Sequence, residues 1–350
     1  MTRQVFPISS IPSALLRRSH RCRSDQWLTI EPASARVRPR SRTIKAMNTS
    51  NSQAMIRSAD RAALVDIIAA IRAASPLTQP ARAEILRTEG VSALTTAVFD
   101  DTLFDPHLER ARAEAAADLN DWVAAGYTVT SLLDDAYPVH LAGVHQAPAL
   151  LFSQGQLIPD DNGVSVVGSR TPTGPERQAA ADVATGLVAA GLTVVSGMAS
   201  GIDTAAHEAA LAAGGRTVAL MGTGLDHTYP AENRGLRRRI EATGLVATQF
   251  FPDMTGSQKT FPMRNVTMSG YGRATIVIAA GEHSGTRHQA RAAISHSRGL
   301  ILTPAVAERT TWGRKLVDEG RARIAHSPAE AVDMARDIIA VAELGHELFA

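Results

Sequence analysis

Residues 164–221, VSVVGSRTPTGPERQAAADVATGLVAAGLTVVSGMASGIDTAAHEAALAAGGRTVALM, decide the fold. Three short β-branched runs, VSVV (164–167), LTVVS (192–196) and TVALM (217–221), alternate with two Ala-rich stretches at 175–190 and 203–213. Continuous apolar runs of this length suit strands buried on both faces of a parallel sheet. Strand–helix alternation demands right-handed crossovers and gives a doubly wound sheet. The pattern continues outward through a helix at 232–243 and strands LVATQF (245–250), TIVIAA (275–280) and GLILTP (299–304). The expected fold is α/β: an extended Rossmann-like, doubly wound, mostly parallel sheet.

Upstream, residues 59–74 carry apolar side chains at helical spacing and Pro76 follows. Further helices are expected at 80–88, 91–99 and 106–125, ended by Gly126. These make a small helical N-terminal domain, 47–125. The segment 127–155 mixes short strands and turns, including LLFSQG at 150–155. The core runs over 126–326, and 327–350 reads as one C-terminal helix, too short for a winged helix.

Composition narrows the function. The chain has 350 residues, 45% of them hydrophobic, enough for a sizeable core and about two domains. Cys22 is the one cysteine, which excludes an internal disulfide and a multi-cysteine zinc site. No apolar run reaches the ~18 residues a membrane span needs, so a membrane protein is not expected and a cytoplasmic location is. Residues 1–46 hold nine Arg and one Lys against Asp25 and Glu31, a net of +8; the whole chain is +2, which leaves −6 for 47–350. The basic character therefore belongs to the leader and is no argument about the core. The leader reads as an upstream extension with the natural start at Met47 or Met55, as a disordered basic arm, or as a transit peptide.

In doubly wound folds ligands bind beyond the carboxyl ends of the strands, and four loops there stand out. In VGSRTPTGP (167–175), Gly168 permits a tight turn, Ser169 offers a hydroxyl and an N–H, and Arg170 a permanently charged donor at a helix N-terminus. Locally this is either a phosphate cradle or a glycine turn with a solvated arginine. It is neither the GxGxxG fingerprint nor a P-loop, so ATP hydrolysis is not supported. In SGMASGIDTAAHEAAL (196–211), Ser196 and Gly197 form a crowded loop, Asp203 can cap the next helix, and His207 shares its face. In GTGLDHTYPAEN (222–233), Asp226, Tyr229 and Asn233 can order the loop, and Arg237, Arg238 and Arg239 follow on a mostly solvated helix face. The fourth loop, QKTFPMRNVTMSG (258–270), groups Lys259, Arg264 and Asn265 around Phe261. Cations that neutralise phosphates beside a ring that stacks on bases are what single-strand binding uses, and Phe261 equally suits the core. His283, His288 and His296 have no metal spacing and are expected to be surface or structural.

Taken in order, these loops resemble the DprA/Smf family of DNA-processing proteins, as does DDAYPVHLAGVHQAPALLFSQGQL (134–157); the resemblance spans about residues 134–320. It implies an extended Rossmann fold that binds and protects single-stranded DNA without strong sequence preference. It further implies a homodimer that delivers DNA to a RecA-type recombinase during natural transformation or recombination. No catalytic residue, cofactor or metal is implied. The implied nucleic-acid-binding set is Gly168, Ser169, Arg170, Ser196, Gly197, Lys259, Phe261, Arg264 and Asn265. The sequence departs from the family where Val266 follows FPMRN in place of a third basic residue, where Ala279–Ala280–Gly281 replaces Glu-Ala, and in AVAERTTWGRKL (305–316). The alternative is a nucleotide-binding or nucleoside-monophosphate-cleaving enzyme or sensor on the same fold, with Glu282 of GEHSGT (281–286) as its candidate acid.

Overall fold

A computed structural model describes residues 58–99 and 106–349. The expectations for residues 1–46 lie outside the described residues. Three helices come first: α1 (Ser58–Arg72), α2 (Gln79–Val98) and α3 (Pro106–Ala124). The side chain of Thr78 caps α2. The backbone leaves helical geometry at Gly90 (φ 87°, ψ −175°), the point where the sequence divides 80–88 from 91–99. Next come β1 (Thr128–Ser131), the short α4 (Val139–Ala142) and β2 (Leu150–Gly155).

The alternating region then follows the sequence pattern closely. It contains β3 (Gly163–Gly168), α5 (Gly174–Ala189), β4 (Thr193–Ser196), α6 (Ile202–Ala212), β5 (Thr217–Leu220), α7 (Arg234–Thr243) and β6 (Leu245–Thr248). A single 3-10 turn, Ala231–Asn233, leads into α7. The chain continues through α8 (Thr260–Tyr271), β7 (Ala274–Ala279), α9 (Thr286–Ser295), β8 (Gly299–Leu302), α10 (Pro304–Arg309), α11 (Thr311–Asp318), β9 (Arg323–Ile324) and α12 (Pro328–Phe349).

The strands form a nine-stranded sheet in the order β1-β2-β6-β5-β4-β3-β7-β8-β9. From β6 to β9 all neighbours are parallel. The β1–β2 and β2–β6 pairs are antiparallel, so residues 128–155 extend one edge of the sheet. Helices α5, α6 and α12 cover one face, where Val183, Ile202 and Ala335 meet Val164, Val166, Val194 and Ile276. Helices α7, α8 and α9 and the N-terminal helices share the core on the other, with Leu86, Leu119, Ile240, Met268 and Tyr271 among its buried side chains. Each such aliphatic or aromatic side chain contributes roughly 1.5–3 kcal/mol when fully buried. Coverage on both faces is the reason the strands read as unbroken apolar runs.

The crossings fix where a ligand can sit. From β3 the chain steps outward to β6, then returns across the sheet to place β7 on the other side of β3. The loops after β3 and β7 therefore diverge from adjacent strands, which opens a crevice at the switch point.

Candidate nucleic-acid interface

A cleft of about 430 Å³ lies at that switch point, lined by Gly168 and Arg170 from one loop, Ser284, Gly285 and Thr286 from the other, and Phe261, Pro262, Arg264 and Asn265 between them. Two of its walls are helix N-termini, α8 and α9.

The loop after β3 is held from below. Ser169 O accepts a hydrogen bond from the Ile202 N–H at 3.1 Å, and the Ser169 hydroxyl accepts from the Thr171 N–H at 3.1 Å. Gly201 makes this contact possible. Its φ of 85° is disfavoured for any residue with a Cβ, and a Cβ there would strike Ser169 O and Arg170 O. Just beyond, Thr173 and Glu176 form a reciprocal capping box that starts α5. Arg170 projects from this supported loop into solvent. Its guanidinium carbon lies 5.6 Å from the centroid of the Phe261 ring, and Phe261 lies 5.2 Å from the Tyr229 ring. Tyr229 is 50% exposed. One cation and two rings thus form a row along the rim, with the cation–π contact worth ~0.5–1 kcal/mol at such an exposed position.

Beneath the rim is a buried polar floor, built on the peptide group of Gly197. The Gly197 N–H donates to Asp203 Oδ2 at 3.2 Å, and the Ala199 N–H to the same oxygen at 3.3 Å. The Gly197 carbonyl accepts from Arg264 Nη1, which also donates to Leu220 O at 2.8 Å. A Cβ on Gly197 would occupy the space of the Arg264 guanidinium, so glycine is required by close approach. Ser196 is fully buried and its hydroxyl donates to Val166 O at 2.7 Å. Burial pushes the Asp203 carboxyl above its ordinary range, against the pull of the nearby Arg264 charge, and burial likewise lowers Arg264.

The arrangement corrects several expectations. The segment 258–270 is not a loop: α8 begins at Thr260, with Pro262 in its first turn, where a missing N–H costs nothing. Arg264 is 6% exposed and is spent on two backbone carbonyls and on Asn265 Oδ1 (2.9 Å). The N–H of Gly197, expected to meet phosphate, is occupied by Asp203. Asp203 does not cap α6; it gathers the preceding loop. Asn265 is half-buried and its amide donates to Gly285 O at 3.4 Å, which ties α8 to the start of α9. Lys259 is exposed, but it lines a depression on the far side of α8 rather than the cleft. Of the nine residues, the structure brings Gly168, Arg170, Phe261, Arg264 and Asn265 to one cleft, with Ser169 at its lip.

Other side chains fall into place around it. His207 is buried with Nδ1 2.7 Å from Thr217 Oγ1, a structural bond. Arg237 is buried and pairs with Glu241, while Arg238 and Arg239 are exposed. Glu282, the candidate acid, accepts from both the N–H and the hydroxyl of Thr311, and those bonds hold it below the usual carboxylate range. Its carboxylate is committed to the start of α11. Among the described residues no cluster of His, Cys, Asp and Glu could hold a metal ion, and no helix is long and apolar enough to cross a membrane. Sequence reasoning undervalued Tyr229 and Asn233. Asn233 ties the turn before α7 to Met198 O at 2.9 Å and Thr204 Oγ1 at 3.0 Å, and so sets Tyr229 beside Phe261. A tyrosine in a glycine-rich loop after a strand was the available signal.

Comparison with known proteins bears on the family and the fold. The family model for DNA recombination-mediator protein A matches residues 128–337. A DNA processing protein DprA of Streptococcus pneumoniae is 39% identical over 175 residues, covering 50% of this chain and 62% of that protein. Protein Smf of Synechocystis is 35% identical over 176 residues, covering 49% of this chain and 44% of that protein. The matched segment thus spans about half to three-fifths of these relatives. Among solved structures, the Streptococcus pneumoniae DprA superposes with a TM-score of 0.60 at 28% identity, covering 78% of this chain and 97% of that chain. The Helicobacter pylori DNA processing protein A, solved for its single-stranded DNA binding mode, superposes with a TM-score of 0.54 at 24% identity, covering 60% of this chain and 96% of that chain, and shares the fold.

Proposed function

The chain belongs to the DNA recombination-mediator protein A family, and on that premise we propose that its switch-point cleft binds the backbone of single-stranded DNA without strong sequence preference. The observation that carries this reading is the row Arg170–Phe261–Tyr229, a free cation and two half-exposed rings spaced 5.6 and 5.2 Å apart on one rim. Arg170 neutralises a phosphate, and the rings offer π-faces to unpaired bases, a combination that tolerates any sequence. The N-termini of α8 and α9, which wall the cleft, add the positive ends of their dipoles. Lys259, just before α8 and outside the cleft, adds a second exposed cation on the far side of that helix. Ser196, Gly197 and Arg264 act from beneath by fixing the loops, while Gly168, Ser169 and Asn265 shape the lip.

The resemblance to the DprA/Smf family supports a wider role. In that role residues 126–326 are the DNA-binding core of a cytoplasmic homodimer that protects the strand and passes it to a RecA-type recombinase, with the helical N-terminal domain, 47–125, packed against that core through α1, α2 and α3. Fluorescence anisotropy of labelled oligo-dT against salt tests the core of the proposal. Affinity falls linearly on a log–log scale, and Arg170→Ala lowers the slope by about 0.7, the value for one phosphate contact on a single strand. Equal affinity and equal slope for wild type and Arg170→Ala would overturn the assigned rim.

A further inference from the structure

Helix α8 has two used faces. Phe261, Arg264, Asn265 and Met268 turn toward the switch-point cleft. Thr260, Met263 and Val266, offset by the ~100° step of the helix, turn toward a second cavity of about 370 Å³. That cavity opens between the N-terminal helices, the antiparallel edge and the stretch 249–263. Its walls are apolar, with Ile71, Leu150, Phe152 and Phe251 at the back and the partly exposed Met254 and Met263 at the mouth. Lys259 is the one charged residue among the described residues that line it.

Three further observations identify an occupant. The cavity is continuous with the rim described above: Ser257 lines both this cavity and the depression beneath Tyr229 and Phe261. The Ser257 and Thr260 hydroxyls that line it are spent on each other's backbone, which leaves amides as its available neutral polar groups. Gln79 uses its Nε2 on Ile71 O at 3.0 Å, and Gln249 uses its Oε1 on the Thr267 hydroxyl, so an acceptor and a donor remain. Gln146 adds a third amide at the edge. An apolar interior with a few amides rejects a phosphate, whose desolvation nothing there would offset, and suits a flat heterocycle with donors and acceptors on its edge. Lys259 stands at the mouth, where the phosphate of that nucleotide would lie.

We propose that this cavity receives an unpaired base of the strand bound along the rim, splayed out of the stack between Phe261 and Lys259. The inference rests on the single-stranded DNA reading above and extends it: the rim holds backbone and stacked bases, and the cavity holds one base by insertion. Because one acceptor (Gln79), one donor (Gln249) and the exposed amide of Gln146 can meet the edge of more than one base, insertion requires a base but selects none.

Photocrosslinking tests the placement. An oligonucleotide of 4-thiothymidine is irradiated in complex with the full chain, and the adducts are located by mass spectrometry. Adducts at Met254, Met263 or Phe251 support insertion. Adducts confined to Tyr229 and Phe261, with binding intact, overturn it and leave the rim reading standing. Loss of all oligonucleotide binding overturns both. A second measurement does not depend on photochemistry. Wild type binds oligo-dT about tenfold more tightly than an abasic strand of equal length, within the range for base–protein stacking. Met263→Trp, which fills the mouth, narrows that gap at least threefold while affinity for the abasic strand is unchanged. An unchanged gap overturns the proposal. Gln146→Ala, at an exposed position, narrows the gap less and guards against misfolding of the Trp variant.

Discussion

Arg170 and Arg264 sit in the same cleft and carry the same side chain, yet they belong to opposite regimes. Arg170 stands on the rim with its charge in solvent and a ring beneath it. Arg264 is the floor: 6% exposed, with its guanidinium on the carbonyls of Gly197 and Leu220. A charged group is available to a ligand only when the fold has not already used it. The rim is where binding energy is available, and the floor is where the fold spends charge to hold loops in place.

Four experiments would break or sharpen that division. Arg264→Ala leaves two buried carbonyls without their donor and Asp203 buried beside no countercharge, so it costs about 3–5 kcal/mol of stability, as for other broken buried charge networks. Urea unfolding measures it, and a variant as stable as wild type but weak in DNA binding would move Arg264 to the rim. Gly197→Ala forces the Arg264 guanidinium aside and costs about 1–3 kcal/mol by overpacking, read in the same unfolding curve.

The third experiment uses pH. Burial holds the His207 imidazole down to about 3 and that of His296 down to about 4. The unfolded chain takes up a proton near pH 6.5 that the folded chain refuses. Stability is therefore full above pH 6.5 and declines as pH falls toward 4, by up to ~1.4 kcal/mol per unit for each histidine. Asp203, raised by burial, works in the opposite sense: its contribution is present below the ordinary carboxylate value and is lost as pH rises through its raised folded value. His207→Gln keeps a donor for Thr217 and removes one histidine's share of the decline, whereas an unchanged slope would show that His207 titrates normally. The smallest effect is expected at the rim: Arg170→Ala changes stability by no more than ~0.5 kcal/mol while the salt dependence of DNA binding falls. A large loss of stability there would erase the distinction.

The same division explains what could be read without coordinates. The strands from β3 to β8 and helices α5 to α7 were legible because a doubly covered sheet imposes continuous apolar runs and glycine-rich turns. Helix α8 was not. Pro262, Asn265, Thr267, Ser269 and Gly270 are weak helix formers, and the segment is helical because Thr267, Met268 and Tyr271 are buried. The placement of rim residues was partly legible, since Arg170 and Phe261 stand out by residue type and loop position. The floor was opaque. Whether an arginine in a basic motif faces solvent or a carbonyl 67 residues away depends on tertiary packing, and no local pattern encodes it. Tyr229 was missed for the same reason, because its neighbour Phe261 comes from another loop.

The clamped peptide at Gly197 has a kinetic consequence. One helix grips its N–H and another its carbonyl, so a carboxylate from α6 and a guanidinium from α8 hold the two peptide planes that meet at the Gly197 Cα. Under the proposed function, a strand arriving at the cleft meets a loop already held from both sides, and its encounter is expected to be limited by diffusion and charge steering rather than by conformational change. Departure depends on a handful of side chains at the lip letting go. A surface built this way can exchange one strand for another, or surrender it to a competitor, without any part of the sheet having to move.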